Sequence, residues 1–265
     1  MLPYPRIDPD IITIGPISIR WYGAMYVLGF LAAYFLVPRQ KRSQEIGLKG
    51  PVAQDLIFYA AIGLILGARL GYLLFYQYQN AATYLQHPIE IIATWHGGMS
   101  FHGGLVGAVL AGWWFSRRRS LPFLAVADSV LVTVPIGLGL GRLGNFINGE
   151  LLGRSSSVPW AMVFPDGGAL PRHPSQLYEM FFEGILLFCI LWIYKDKKKR
   201  DGDVFALFLI LYGLFRIFCE LFREPDSQLG YIFSLLSMGQ ILSLCMIAIG
   251  VVLKYFYLPR TSRQA

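Results

Sequence analysis

The chain has 265 residues, of which 55% are hydrophobic and only 15% are charged, and its formal net charge is +7 at pH 7. Soluble globular domains usually carry about 25% charged residues, so this composition excludes a soluble globular protein. Mainly apolar runs of roughly 18 to 23 residues recur along the chain, and each is long enough for a helix to cross a ~30 Å hydrocarbon layer. The sequence therefore predicts an all-α polytopic membrane protein.

We predict about seven transmembrane helices within a single membrane domain that covers residues 1–265. An amphipathic segment, "DPDIITIGPISIRWYG", overlaps the first span and is expected to lie on the membrane surface or to pack as a short arm. The segment 141–174 is rich in Gly, Pro and Ser and is expected to form a small cap outside the bilayer. The predicted spans are approximately 20–37, 54–76, 99–116, 122–140, 175–194, 204–222 and 233–255.

Basic residues are distributed unevenly among the connections between these spans. Three connections and the C-terminal tail hold 15 of the 23 Lys and Arg, and alternating spans place all of them on one side. The positive-inside rule makes that side the cytoplasm, so the N-terminus and the 141–174 cap are expected to face outward. The N-terminus has no basic segment followed by an apolar core, and no cleavable signal peptide is expected.

The other eight basic residues are all arginines. A guanidinium group forms planar, bidentate hydrogen bonds to phosphate or carboxylate and stays charged, which favours an anion site on the outer side. Structural ion pairs are the alternative reading of the same residues. These arginines are Arg6, Arg20, Arg69, Arg142, Arg154, Arg172, Arg216 and Arg223.

Arg69 and Asp128 fall inside predicted spans, where an unpaired charge costs several kcal/mol. Arg69 lies in the outer half of the second span, so it is either a functional group or part of an ion pair that holds the helices together. Asp128 lies in the cytoplasmic half of the fourth span, and a structural hydrogen bond is the favoured role for it.

The third span opens with "GGMSFHGGLVG", in which His102 precedes two glycines. Glycine lets a lipid or peptide backbone approach closely, and histidine can act as a general base near neutral pH. A hydrogen-bonded structural histidine is the alternative. His96, in the preceding loop, is a second candidate.

The stretch "GRLGNFINGELLGR" follows an uncharged run and concentrates polar groups at the outer end of the fourth span. Arg142 is followed closely by Asn145, Asn148 and Glu150. Glycines at 141, 144, 149 and 153 are expected to bend the chain tightly and expose backbone N–H groups, which is a concave arrangement suited to anions.

The sixth span carries four polar residues at spacings that put them on one helix face. Arg216 and Glu220 form a possible self-neutralising pair, and Arg223 is expected to leave an uncompensated positive charge that favours an anion site. On the fifth span, Glu179 and Glu183 also share a face and require cationic partners. The four residues of the sixth span are Tyr212, Arg216, Glu220 and Arg223.

The three cysteines, Cys189, Cys219 and Cys245, fall within predicted spans and are expected to be small buried hydrophobic residues. Neither a disulfide framework nor a metal site is expected from their spacing.

Five ordered stretches resemble the bacterial prolipoprotein diacylglyceryl transferases, and together they extend from about residue 7 to 255. The "HGGL" context places the family's histidine at His102, whereas His96 stands where an acidic or amide residue is expected. The stretches are "RWYGAMY" at 20–26, "GGMSFHGGLVG" at 97–107, "GRLGNFINGELLGR" at 141–154, "RHPSQLYE" at 172–179 and "YGLFRIFCELFREPD" at 212–226.

The resemblance implies transfer of the diacylglyceryl group of phosphatidylglycerol to the lipobox cysteine of a prolipoprotein in the bacterial cytoplasmic membrane. A thioether would form and glycerol 1-phosphate would leave, with no metal, organic cofactor or nucleic acid involved. His102, Arg142 and Arg216 are the implied catalytic residues. The implied substrate-binding residues are Tyr26, Arg142, Asn145, Asn148, Glu150, Gly153, Arg216, Glu220 and Arg223.

Two other functions are compatible with intramembrane arginines. A lipid transporter or scramblase would need a polar path across the membrane, whereas the polar groups here cluster toward the outer side. A histidine-dependent acyltransferase would leave an ester or an amide rather than a thioether.

Overall fold

The computed structural model describes residues 2–5, 7–15, 17–78, 84, 86–94, 97–224, 231–232 and 236–258. The chain divides into two compact units. The large unit comprises Met1–Leu36 and Asp128–Ala265, and the small unit comprises Val37–Ala127.

The large unit begins with an antiparallel hairpin of β1 (Asp10–Ile14) and β2 (Ile17–Arg20). The hairpin leads directly into α1 (Trp21–Leu36), so the amphipathic segment before the first span is a short two-stranded arm. Several of its isoleucines, including Ile12 and Ile14, are exposed.

The small unit consists mainly of helices. A 3₁₀ turn at Val37–Arg39 precedes the first of them. The helices are α2 (Lys41–Glu45), α3 (Gly50–Tyr76), α4 (Ile89–Ile92) and α5 (Phe101–Arg118).

The boundary between the units falls within α6 (Phe123–Leu131), after which the chain remains in the large unit. A π-helix, Met180–Leu186, lies between α8 and α9 and makes 175–194 one continuous helical segment. A second π-helix, Leu253–Tyr257, follows the last α-helix. The remaining elements are α7 (Val134–Asn148), α8 (Ser175–Glu179), α9 (Leu187–Tyr194), α10 (Asp203–Glu220), the short strands β3 (Tyr231–Ile232) and β4 (Leu236–Ser237), and α11 (Met238–Val252).

The described residues are mostly helical, as predicted, and several helices could cross a membrane. Helices α6 and α7 form a pair bent by 40°, which makes a fifth candidate span if they are counted together. Helices α5 and α10 occupy the other two predicted spans, but they are not among the candidates identified by length and hydropathy. The count of seven therefore stays a prediction. The four single candidates are Trp21–Arg39, Gly50–Tyr76, Ser175–Tyr194 and Met238–Tyr257.

Glycines bring helix backbones into direct contact in both units. In the small unit, a Cβ atom added at Gly107 would lie 2.1 Å from the carbonyl oxygen of Gly63, so α5 packs directly on α3. In the large unit, a Cβ atom at Gly184 would lie 2.7 Å from Gly139 Cα. Small residues permit such close approach, and this one brings the π-helix Met180–Leu186 against α7.

The helix of the fourth predicted span does not end at residue 140, because α7 continues through Asn148. Gly141 and Gly144 lie inside this helix and do not bend the chain. A Cβ atom at Gly144 would lie 2.8 Å from Tyr22 Cδ2, which shows that this glycine serves packing against α1. Only at Gly149, where φ is 70°, does the backbone turn as expected.

The cap after α7 is ordered by backbone pairing and by a small apolar cluster. Met162 and Arg172 exchange two backbone hydrogen bonds of 2.9 and 2.8 Å. Phe146, Met162 and Phe164 form the cluster, and the Tyr4 hydroxyl donates a 2.6 Å hydrogen bond to the carbonyl of Phe146. The cap is thus fastened to the last turn of α7.

Candidate active site

Arg142 of α7 and Arg216 of α10 meet at one carboxylate. Arg142 Nε lies 2.6 Å from Glu179 Oε2, and Arg216 Nη1 lies 2.8 Å from the same oxygen. The Glu179 side chain is 1% exposed, whereas that of Arg142 is 20% exposed. Two predicted catalytic arginines are therefore brought together by a residue outside the predicted catalytic set.

Glu183 supplies a second carboxylate to the same two arginines at longer range. Its oxygens lie 3.8 Å from Arg142 Nη2 and 3.5 Å from Arg216 Nη1, and its side chain is fully buried. Glu183 lies in the π-helix Met180–Leu186. Such wide turns are frequent at functional sites. The predicted need of Glu179 and Glu183 for cationic partners is confirmed.

Arg216 also forms the predicted pair with Glu220, at 2.8 Å between Nη2 and Oε2. Glu220 Oε1 accepts a 2.9 Å hydrogen bond from Ser237 Oγ, at the N-terminus of α11. A Cβ atom at Gly239 would lie 3.1 Å from Glu220 Oε1, so the absence of a side chain there lets the carboxylate approach the helix N-terminus. The favourable helix dipole adds to this placement.

The expectation that Arg223 carries an uncompensated charge is wrong. Arg223 Nη1 lies 3.6 Å from Glu179 Oε1, so a third guanidinium shares that carboxylate. We name the whole set the arginine–glutamate cluster, in which three cations face three buried anions. Its members are Arg142, Arg216, Arg223, Glu179, Glu183 and Glu220.

Hydrogen bonding within the cluster is incomplete. Among the residues that the structure describes, no partner of suitable geometry hydrogen-bonds Glu179 Oε1 or either oxygen of Glu183. Buried acceptors are normally hydrogen-bonded. The cluster is therefore held mainly by attraction between opposite charges.

A polar chain extends from Arg142 along the end of α7. Arg142 Nη1 lies 3.5 Å from Asn145 Oδ1, and Asn145 Nδ2 donates to Glu150 Oε1 at 2.8 Å. Asn148 Nδ2 donates to the same Glu150 oxygen at 3.2 Å. Four predicted site residues from one sequence stretch are thus connected.

Tyr26 and Gly153 have contacts of a different kind. The Tyr26 hydroxyl lies 3.3 Å from that of Tyr22 on α1, and its side chain is exposed. A Cβ atom at Gly153 would lie 2.2 Å from the carbonyl oxygen of His173. Gly153 is therefore needed for close passage of two cap segments, whatever it contributes to substrate binding.

Near Gly153, the cap contains a row of hydrogen-bonded side chains that the sequence analysis did not predict. His173 Nδ1 lies 3.0 Å from the Tyr178 hydroxyl, which accepts a 2.6 Å hydrogen bond from Trp160 Nε1. Burial lowers the pKa of His173 below its ordinary value, so the ring is neutral at pH 7.

His102 lies in the small unit, in the first turn of α5, and it is exposed. Ser100 caps this helix by accepting a 3.2 Å hydrogen bond from the Gly103 N–H, and the Ser100 N–H donates to the Ala68 carbonyl at 2.9 Å. The start of α5 is thus fixed on α3. His96 lies outside the described residues.

Arg69 is a backbone clamp. Its guanidinium donates to the carbonyls of Ile91 at 2.9 Å, Gly97 at 2.8 Å and Gly98 at 3.0 Å, and also to that of Glu90. Arg69 therefore fastens the segment before α5 to α3, and these donors are occupied by the chain itself.

Arg154 and Arg172 act in the same way in the cap. Arg154 Nε donates to the Arg223 carbonyl at 2.9 Å, and Arg172 donates to the carbonyls of Gly167 at 3.0 Å and Gly153 at 3.1 Å. Arg172 also pairs with the Glu224 carboxylate, so the arginines predicted to face outward bind carboxylates, clamp the backbone or do both. Arg6 lies outside the described residues.

The cysteines agree only partly with expectation. Cys219 is buried, but Cys189 and Cys245 are exposed on helices whose surfaces are largely apolar, so the prediction of burial is wrong for these two. All three are free thiols. Within the described ranges, no group of three His, Cys, Asp or Glu side chains could hold a metal ion.

These features define a helical membrane protein that brings three guanidinium groups and three carboxylates together. One of the three arginines, Arg142, is partly exposed. Comparison with known proteins gives a consistent result. The family model for prolipoprotein diacylglyceryl transferase matches residues 9–256. The chain belongs to this family, as the five sequence stretches indicated.

Relatives in several bacteria are named phosphatidylglycerol–prolipoprotein diacylglyceryl transferase. The chain is 51% identical to the protein of Geobacter sulfurreducens over 250 residues, which cover 94% of this chain and 95% of the relative. It is 50% identical to that of Bordetella avium over 266 residues, covering all of both chains. For the Nitratidesulfovibrio vulgaris strain DP4 protein, identity is 50% and coverage is 95% of each chain.

Proposed function

We propose that the chain transfers the diacylglyceryl group of phosphatidylglycerol to the cysteine thiol in the lipobox of a prolipoprotein. The products are a thioether-linked diacylglyceryl protein and glycerol 1-phosphate. Family membership supports the reaction. The arginine–glutamate cluster is the observation that assigns the reaction to particular residues, because it joins three of the five stretches that resemble the family.

The reaction is a displacement at carbon. The thiolate sulfur forms a new bond to the glyceryl carbon, the bond from that carbon to the phosphate oxygen breaks, and its electron pair remains on the phosphate. The leaving phosphate gains one negative charge. Arg142 and Arg216 stabilise this charge, and one preorganised donor typically contributes about 3 kcal/mol to such a step.

The thiol must lose its proton before it attacks. A free cysteine has a pKa of about 8.5, so a base or a positive field is needed near neutral pH. We assign the base to His102, because its ring is exposed at the start of α5 and an imidazole can accept a proton in this pH range.

The remaining predicted site residues orient the lipid headgroup or the arginines. Asn145, Asn148 and Glu150 form the polar chain next to Arg142. Tyr26 presents an exposed hydroxyl on α1, and Gly153 keeps the cap segments close. Glu220 and Arg223 complete the charge balance of the cluster.

The protein resides in the bacterial cytoplasmic (inner) membrane as one multi-pass domain with seven spans. The N-terminus and the 141–174 cap face the periplasm, and the C-terminus faces the cytoplasm. Single cysteines introduced at the exposed positions Ser155 and Lys197, in a background without the native cysteines, should react with an impermeant reagent from opposite sides. Labelling of both from the same side would contradict this topology.

Mass spectrometry of a lipobox peptide incubated with the purified protein and phosphatidylglycerol tests the function. We expect a mass increase of one diacylglyceryl group that resists mild base at its thioether bond. An added acyl group alone would indicate an acyltransferase. Lipid movement between leaflets with an unmodified peptide would indicate a transporter or scramblase.

A further inference from the structure

We propose that Glu179 is a positioning residue for the transfer reaction, which holds the guanidinium groups of Arg142 and Arg216 in one orientation toward the lipid phosphate. This inference rests on the proposed function. It adds a carboxylate that acts on the reaction only by orienting the two arginines.

One oxygen of Glu179 joins two helices. Oε2 lies 2.6 Å from Arg142 Nε on α7 and 2.8 Å from Arg216 Nη1 on α10. Two guanidinium groups repel each other, and a shared anion behind them reduces that repulsion. Arg216 Nη1 also donates a hydrogen bond to this oxygen, which fixes the direction in which its planar group faces, and Arg142 is held on the same oxygen by an ion pair.

The Glu179 carboxylate is itself held in place. At the other end of the same short helix, the Ser175 hydroxyl donates to the Leu151 carbonyl at 3.2 Å. Gln176 Nε2 donates to the Glu150 carbonyl at 2.7 Å. Helix α8 is therefore tied to the loop that follows α7, so the backbone that carries Glu179 is fixed.

The contacts of Arg142 also define the side left for a phosphate. Its Nε and Nη2 atoms face Glu179 and Glu183, whereas Nη1 faces Asn145 at a long 3.5 Å. A fork formed by Nε and Nη2 is thus already occupied by glutamates. The Nη1 side, next to Asn145, is the side from which an anion is recognised while Glu179 remains behind.

Glu183 provides a matched comparison. It lies four residues after Glu179, is equally buried and approaches the same arginines, but at 3.8 and 3.5 Å and without a hydrogen bond of suitable geometry. Glu183 therefore contributes negative charge. Glu179 contributes negative charge and also orients the Arg216 guanidinium group through a hydrogen bond. Removing the charge from each in turn separates these contributions.

The experiment compares Glu179→Gln, Glu179→Asp and Glu183→Gln with the parent, in detergent, with a lipobox peptide and phosphatidylglycerol. Rates are expressed per folded molecule, with folding measured by size-exclusion chromatography and thermal unfolding. Asp128→Asn is the control, because it changes a buried, paired carboxylate that is not part of the cluster. The parent must form the thioether; if it does not, the proposed function fails independently of Glu179.

We expect Glu179→Gln to lower kcat by about 100-fold, the loss that a misplacement of about 1 Å produces, with a smaller change in KM for phosphatidylglycerol. Glu179→Asp should recover part of this loss because it restores the charge. Glu183→Gln should lower kcat by less than about tenfold.

A kcat within threefold of the parent in folded Glu179→Gln would overturn the proposal. A lower KM with unchanged kcat would also overturn it, because Glu179 would then merely compete with the phosphate. Equal losses in Glu179→Gln and Glu183→Gln would reduce the effect to charge alone and overturn it as well.

Discussion

The large unit contains two buried ionic clusters whose hydrogen bonding differs. Asp128 accepts hydrogen bonds from Lys198 Nζ at 2.5 Å and from the N–H groups of Gly202 and Phe205, both at 2.8 Å. Both oxygens of this carboxylate are satisfied. In the arginine–glutamate cluster, by contrast, Glu179 Oε1 and both Glu183 oxygens accept no well-formed hydrogen bond from the described residues.

In the proposed mechanism, this difference separates a structural cluster from the one that binds the lipid phosphate. Fully satisfied polar networks rigidify a fold, and Asp128 of α6 ties together Lys198 and the start of α10, in agreement with its predicted structural role. In the arginine–glutamate cluster, the Arg142 side chain is 20% exposed and its Nη1 has only a long 3.5 Å contact with Asn145, so a donor is available there for a further anion. The two clusters therefore predict different responses to the same kind of substitution.

Exchanging Arg216 and Glu220 should produce the largest effect. The exchanged pair keeps its net charge, but it puts a carboxylate beside Glu179 where negative charge develops on the leaving phosphate. We expect the transfer rate to fall by at least about 1,000-fold. Exchange of the exposed pair Arg119 and Asp55, which lie 3.0 Å apart, is the control and should leave the rate unchanged. Full activity of the Arg216–Glu220 exchange would reduce that pair to a structural one.

His102 belongs to neither cluster. Its substitution therefore tests thiol activation without changing the groups proposed to bind the phosphate. His102→Gln should lower the rate by about 10²–10⁴-fold near pH 7, the usual contribution of a general base. The defect should shrink toward pH 9, because the peptide thiol then ionises without help. Rates measured from about pH 6 to about pH 9 at saturating lipid provide the test. An unchanged rate and pH profile would remove His102 from the mechanism.

Arg142→Lys sharpens the comparison by keeping the charge and removing the planar group. Lysine cannot reach Glu179 and Asn145 in the fixed directions that the guanidinium offers. We expect a loss of about 10²–10³-fold in kcat, with the protein still inserted and folded. Arg20→Lys serves as the control, because Arg20 forms an exposed ion pair with Asp10 at 3.3 Å. Near-parent transfer by Arg142→Lys would mean that charge alone matters there.

Asp128→Asn should have the smallest effect on transfer and a large one on stability. Breaking a buried ion pair typically costs about 3–5 kcal/mol. We expect a lower midpoint of thermal unfolding and a kcat per folded molecule within twofold of the parent. A specific loss of kcat in folded protein would show that the hydrogen-bonded cluster also takes part in the reaction.

The helices could be predicted because long apolar runs have few alternative structures, whereas their ends depended on packing. The stretch "GRLGNFIN" reads as a loop by its glycines, yet it is helical because Gly144 lies against Tyr22 and Gly139 against Gly184. Such contacts involve residues distant in sequence. Spacing alone does not reveal them.

The site could be predicted where partners are side chains of opposite charge. Arg216 and Glu220 are four residues apart on one helix, and the need of Glu179 for cations follows from its place in an apolar span. The partners of Arg69 and Arg154 are backbone carbonyls, which every residue carries, so no sequence pattern marks them. The arginines that the sequence predicted to lie on the outer side therefore indicated an anion site only in part.

Binding of glycerol 1-phosphate, the phosphate product, tests most directly whether the incompletely hydrogen-bonded cluster is the anion site. Arg216→Gln and Lys198→Gln each remove one cation from one of the two clusters, and titration calorimetry of both proteins in detergent compares their affinities with the parent. We predict that Arg216→Gln weakens binding by about 10- to 100-fold, the contribution of a hydrogen bond to a charged group. Lys198→Gln should lower stability and leave the affinity within twofold of the parent. Equal weakening by both substitutions, or unchanged binding in Arg216→Gln, would contradict the assignment of the phosphate to the arginine–glutamate cluster.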